Sequence, residues 1–139
     1  MAGAGAVGRA DSGAFAARAL AARAERLRRE DPSAAVALGV VAEARGVAIT
    51  ELLLPNRGVA EIAFARQLAM YLVHILLGRS LTEVGAVFGR DRTTVAHACA
   101  LIEDMREKRR FDAEVDHLET LINERCGFAQ MAEAHRAAS

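Results

Sequence analysis

The sequence predicts an all-α protein built around a helix-turn-helix, on three observations. Ala, Leu, Arg and Glu, all strong helix formers, dominate the composition, and Pro occurs twice in 139 residues. Apolar residues recur at spacings of three and four, with no sustained strand alternation. Leu81 to Cys99 then reads as a helix, a tight glycine-bearing turn and a second helix that opens with small polar and cationic side chains. With aromatics at 4%, the core must come from Leu, Ile, Val and Ala, and the length fits one compact domain.

Residues 1–12 are Ala/Gly-rich and are expected to be disordered, since small side chains bury too little to order a backbone. Residues 13–31 form an N-terminal helix with Phe15, Leu20 and Leu27 on one side. Its arginines, Arg18, Arg23, Arg26, Arg28 and Arg29, read as a solvated face or, less favoured, as a basic arm on DNA. Asp31 or Ser33 caps the next helix, with Pro32 in its first turn, an apolar face of Val36, Val40 and Val41, and Gly46 as its C-cap. Thr50 to Leu54 is a short helix stopped by Pro55, and Asn56-Arg57-Gly58 is a loop. A long helix from Glu61 to Leu77 carries a stripe of Ile62, Ala65, Ala69, Leu72, Val73 and Leu76. Gly78 ends it.

Ser80 or Leu81 starts the first helix of the motif, with Val84, Val87 and Phe88 inward and Gly89-Arg90 as the turn. Asp91 stands where an N-cap is wanted. The second helix is expected to reach Arg109, burying Val95, Cys99 and Ile102. A last helix, residues 111–126, carries Val115, Leu118, Leu121 and Ile122 ahead of a flexible tail, residues 127–139. In a helix-turn-helix the second helix puts its N-terminal residues against base edges in the major groove. Arg92, Thr93, Thr94 and His97 occupy that position here.

Ala65-Arg66-Gln67-Leu68-Ala69-Met70-Tyr71-Leu72, followed by Phe88-Gly89-Arg90-Asp91-Arg92-Thr93-Thr94-Val95-Ala96-His97-Ala98-Cys99, resembles the C-terminal DNA-binding domain of the bacterial replication initiator family, DnaA. The resemblance runs from about Ser33 to Arg109, so residues 33–110 are taken as one domain. It implies a reader of a short double-stranded DNA box. Carried over, Asp91, Thr93, Thr94 and His97 approach bases, and Arg92 stands among them by its position at the helix tip. Arg57 enters the minor groove, and Arg66, Gln67, Arg79, Leu81, Thr82 and Arg90 lie near phosphates. The family commonly has His where this chain has Arg92, two glycines before the arginine of the turn, and a shorter loop between Arg57 and Arg66. Arg can bridge O6 and N7 of guanine as His cannot, so a related but different target is expected.

Lys plus Arg equals Asp plus Glu at 18 each, which argues against a nonspecific coating of nucleic acid. The charge is nonetheless uneven: residues 55–110 carry nine basic and six acidic groups, and residues 111–139 two and six. The chain has no Gly-x-x-x-x-Gly-Lys-Ser/Thr run, and its one lysine is Lys108, so a free-standing reading head without ATPase activity is expected. No catalytic set, metal-ligand spacing or cofactor signal stands out, and an enzyme is not expected. Cys99 and Cys126 form no disulfide framework, and no apolar stretch suits a bilayer, so a cytoplasmic, nucleoid-associated protein is the expectation. Two competing readings remain. One is an interaction module docking on the initiator or the transcription machinery. The other is a ligand-responsive repressor, since the helix arrangement also resembles that of the tryptophan repressor.

Overall fold

The computed structural model describes the backbone of residues 2–54 and 59–138, and side chains within residues 12–54, 59–128 and 130–138. Among the described residues there are seven helices and no strand: α1 Ala2–Glu30, α2 Pro32–Arg45, α3 Ile49–Leu52, α4 Ala60–Ile75, α5 Leu81–Phe88, α6 Arg92–Met105 and α7 Arg109–Ala138.

The central element is α4. Its Ala65, Leu68, Ala69, Leu72 and Val73 have no exposed surface, so it is buried on several sides rather than along one stripe. It packs against α2, α5 and α6, while α2 also carries α1 and α7. Phe88, Leu38, Leu52, Ile102 and Ile122 complete a core drawn from six helices, with Ala24 of α1 at its edge.

Helix boundaries follow local chemistry. Asp31 accepts the amide of Ala34 at 3.2 Å and caps α2, and Gly46 ends it in the left-handed conformation that glycine adopts without a Cβ penalty. Ser80 and Glu83 form a reciprocal capping box at the start of α5, with bonds of 3.0 and 2.9 Å. At the far end Gly89 turns left-handed, at φ 66°.

Three boundaries differ most from the sequence reading. The helix α1 begins at Ala2, through residues expected to be disordered, where alanine lowers the cost of helix. At the other end α7 continues to Ala138, through the expected tail, and the described side chains beyond Cys126 find no fully buried position. The second motif helix, α6, stops at Met105 rather than Arg109, because Arg106 turns toward α7.

Arg106 binds the end of α6 to α7. Its Nε donates to Asp112 at 2.6 Å, and its Nη1 donates to Glu119 at 2.7 Å and to the Tyr71 hydroxyl at 3.1 Å. Nη2 reaches Asp116 at 2.5 Å. Tyr71 in turn donates to Glu103 at 2.9 Å. Burial opposes the charge on Arg106, but the bonds to Asp112, Tyr71 and Glu119 outweigh it and raise its pKa.

Asp31 also reaches across the fold. Its two carboxylate oxygens accept Nε and Nη2 of Arg79 at 2.8 and 2.9 Å, and Nη1 of Arg79 donates to the Leu77 carbonyl. The bond to Arg79 holds the Asp31 pKa below its usual value against an opposing effect of burial, with the Ala34 amide helping. A carboxyl depressed in the folded state stabilises above its unfolded pKa, and that stabilisation is lost as pH falls through the folded value. Asp31→Asn is therefore expected to lower the urea midpoint at pH 7, with the gap to wild type narrowing below about pH 4. A gap constant from pH 7 to pH 2.5 would contradict the pairing.

Gly85 faces the opposite constraint. It is buried, and a Cβ there would lie 2.4 Å from the Arg90 carbonyl oxygen, a backbone atom that cannot step aside. Gly85→Ala should cost about 1–3 kcal/mol in a urea melt, the usual scale of overpacking. An unchanged midpoint would mean that the turn moves away freely.

Candidate nucleic-acid interface

The site begins with how α6 is launched. The Gly85 carbonyl accepts the Arg90 amide at 2.9 Å and also the amide of Gly89, closing α5 against the turn. The chain leaves the turn extended at Asp91, whose Oδ1 accepts the Thr94 amide at 2.8 Å. Bonds from the Thr94 amide and hydroxyl lower the Asp91 pKa, with a smaller contribution from His97. The cap thus stays anionic at neutral pH and meets the positive end of the α6 dipole.

The expected base-reading residues are all exposed: Asp91, Arg92, Thr93, Thr94 and His97. The inner face of α6 is Val95, Ala98 and Ile102, which locks the helix rotation and leaves that polar set outward. Thr94 and His97 border a concavity between α4 and α6, together with Gln67, Arg90 and the half-exposed Leu101. Residues distant in sequence are therefore gathered beside the tip of α6. Leu81 and Thr82 lie in the first turn of α5, half-buried and exposed respectively. Arg57 lies outside the described residues.

Two of the expected phosphate contacts are spoken for. Arg66 is buried at 4% exposure; its Nε donates to the Leu52 carbonyl at 2.9 Å and its Nη2 to that of Glu51 at 3.2 Å. Its charge is disfavoured first by burial and then by Arg90. Arg79 is committed to Asp31 and the Leu77 carbonyl. Both read as surface cations in sequence, and both are joints of the scaffold. Arg90 is half-buried, with Nη2 at 3.3 Å from the Leu54 carbonyl.

Arg23 was not singled out beyond the basic face of α1. It donates from Nη1 to the Leu53 carbonyl at 3.3 Å and from Nη2 to the Val87 carbonyl at 2.9 Å. A signal was available: Arg23 falls three residues after Leu20 and four before Leu27, on the side of α1 that meets the core.

A family model described as the bacterial DnaA protein helix-turn-helix matches residues 37–102. Relatives named chromosomal replication initiator protein DnaA also match the chain. That of Mesorhizobium japonicum is 44% identical over 87 residues, 61% of this chain and 18% of the relative. That of Lactococcus lactis subsp. cremoris is 46% identical over 71 residues, 50% of this chain and 15% of the relative. That of Bordetella pertussis is 50% identical over 63 residues, 45% of this chain and 13% of the relative. The chain thus spans less than a fifth of the length of these relatives. Among the described residues no helix is long and apolar enough to cross a membrane. With its all-α fold, its capped α6 and this match, the segment 37–102 is similar to the bacterial DnaA helix-turn-helix family.

Proposed function

We propose that this chain binds double-stranded DNA through α6 and reads a short site related to the DnaA box. It would act, without ATPase activity of its own, as a nucleoid-associated regulator of replication initiation, of transcription, or of both. The observation that carries the reading is the tip of α6: a fixed, capped helix end that exposes Arg92, Thr93, Thr94 and His97 together. A helix of this kind fits the major groove, where Arg pairs with guanine and a Thr methyl packs on a thymine methyl. Asp91 combines its capping role with a place at the edge of the bases.

Affinity and specificity divide between different residues in this reading. Arg90, Gln67, Leu81 and Thr82 face the DNA backbone around the tip, and Arg57 reaches toward the minor groove. Such contacts set register and strength, and base contacts set preference. Arg92, where the family resemblance leads one to expect His, is the residue that shifts the preferred sequence.

Selection of duplexes from a random pool tests the reading. Wild type should enrich one short motif, and the double variant Thr93→Ala/Thr94→Ala should lose it. Arg92→Ala should cost about 1–3 kcal/mol and relax preference at one base pair. Arg90→Ala should weaken binding and reduce the salt slope by about one. Failure of the wild-type protein to enrich any motif, with binding abolished by moderate salt, would reject sequence reading.

A further inference from the structure

We propose that Arg23 is a positioning residue for the recognition helix, through which α1 sets the aim of α6 on DNA. The inference rests on the DNA-reading function proposed above. It extends the functional unit to a helix that lies outside the matched residues 37–102.

Arg23 ties two helix ends to each other. Nη2 donates to Val87 in the last turn of α5, and Nη1 to Leu53 at the end of α3. The last carbonyls of a helix have no partner within it, and a cation there also meets the negative end of the dipole. The fork geometry of guanidinium lets one side chain hold both ends at a fixed separation, which an ammonium cannot reproduce.

The contact falls on the turn itself. A Cβ at Gly89 would lie 3.1 Å from Nη2 of Arg23, so this guanidinium lies against the residue where α5 gives way to the α6 cap. Two residues later Asp91 starts α6. A shift of the turn therefore rotates or translates the exposed tip residues relative to α4. The position is held at an electrostatic cost: burial first, and then Arg26 and Arg90, lower the Arg23 pKa. Its hydrogen-bond partners are carbonyls, so removing Arg23 leaves two carbonyl ends without their donor rather than a stranded carboxylate.

The test compares wild type, Arg23→Ala and Arg23→Lys on a selected duplex and on a random duplex across a salt series, with amide hydrogen exchange of the free proteins. Expected for Arg23→Ala is a loss of about fivefold or more in the ratio of selected to random affinity. The salt slope should not change, and exchange should quicken at Gly89, Arg90 and Thr94 but not at Ile102. Arg23→Lys should restore charge without restoring the ratio. It also serves as the variant for all readouts if Arg23→Ala does not fold. A ratio unchanged in a folded variant overturns the inference. So does a uniform loss on both duplexes with a reduced salt slope, which would make Arg23 a phosphate contact. If wild type itself shows no preference, the DNA reading fails. The exchange arm then decides separately: unchanged protection at the turn overturns the positioning role, and selective loss sustains it.

Discussion

Four consecutive backbone carbonyls at the end of α3 organise this domain. Arg66 takes those of Glu51 and Leu52, Arg23 that of Leu53, and Arg90 that of Leu54. The three guanidiniums come from α4, α1 and the turn before α6. A helix of four residues cannot sustain itself, since nucleation costs more than its few bonds return. Here it is held because its open end is the acceptor surface on which three larger elements converge. The recognition turn is thereby referenced to α1 and α4 at one point.

The far end of α6 is held by the inverse chemistry. There one guanidinium, Arg106, gathers three carboxylates of α7 and the hydroxyl of Tyr71. Tyr71 belongs to α4, so the same central helix references both ends of α6. Between them, Val95, Ala98 and Ile102 fix its rotation against the core. Rigidity of this kind matters for a reading head, because base contacts reward placement within fractions of an ångström.

What was legible in the sequence was whatever depends on local pattern. Asp31 and Asp91 as caps, Gly46 and Gly89 as helix ends, and the inward set Val84, Phe88, Val95 and Ile102 all follow from spacing and capping chemistry. The roles of the arginines were not legible, because a guanidinium looks the same whether it meets solvent, phosphate or a carbonyl 64 residues away. In sequence Arg66 and Arg79 suit phosphate contacts, and in the fold they bond the α3 carbonyls and Asp31; Arg106 stands among charges near a helix end and holds α6 to α7. Arg23 and Arg66 carried a warning, each lying at helical spacing from apolar residues that face the core.

Pairing also explains how a chain of zero formal net charge can present a positive site. The acidic segment after Phe111 gathers cations at the far end of α6 and on α2, away from its tip: Asp112, Asp116 and Glu119 surround Arg106, and Glu114 pairs with Arg45, so the negative excess stays with α7. Asp31 neutralises Arg79 in the same way. The guanidiniums of Arg23, Arg66 and Arg90 are instead bonded to carbonyls, which satisfy hydrogen bonds without cancelling a full charge. Arg90 and Arg92 therefore leave a positive field around the turn, which Asp91 offsets in part. With screening over about 8 Å at physiological salt, a ligand approaching the tip of α6 feels this local excess and little of the distant balance. Net charge, summed over the chain, averages away the one feature that an anionic duplex would detect.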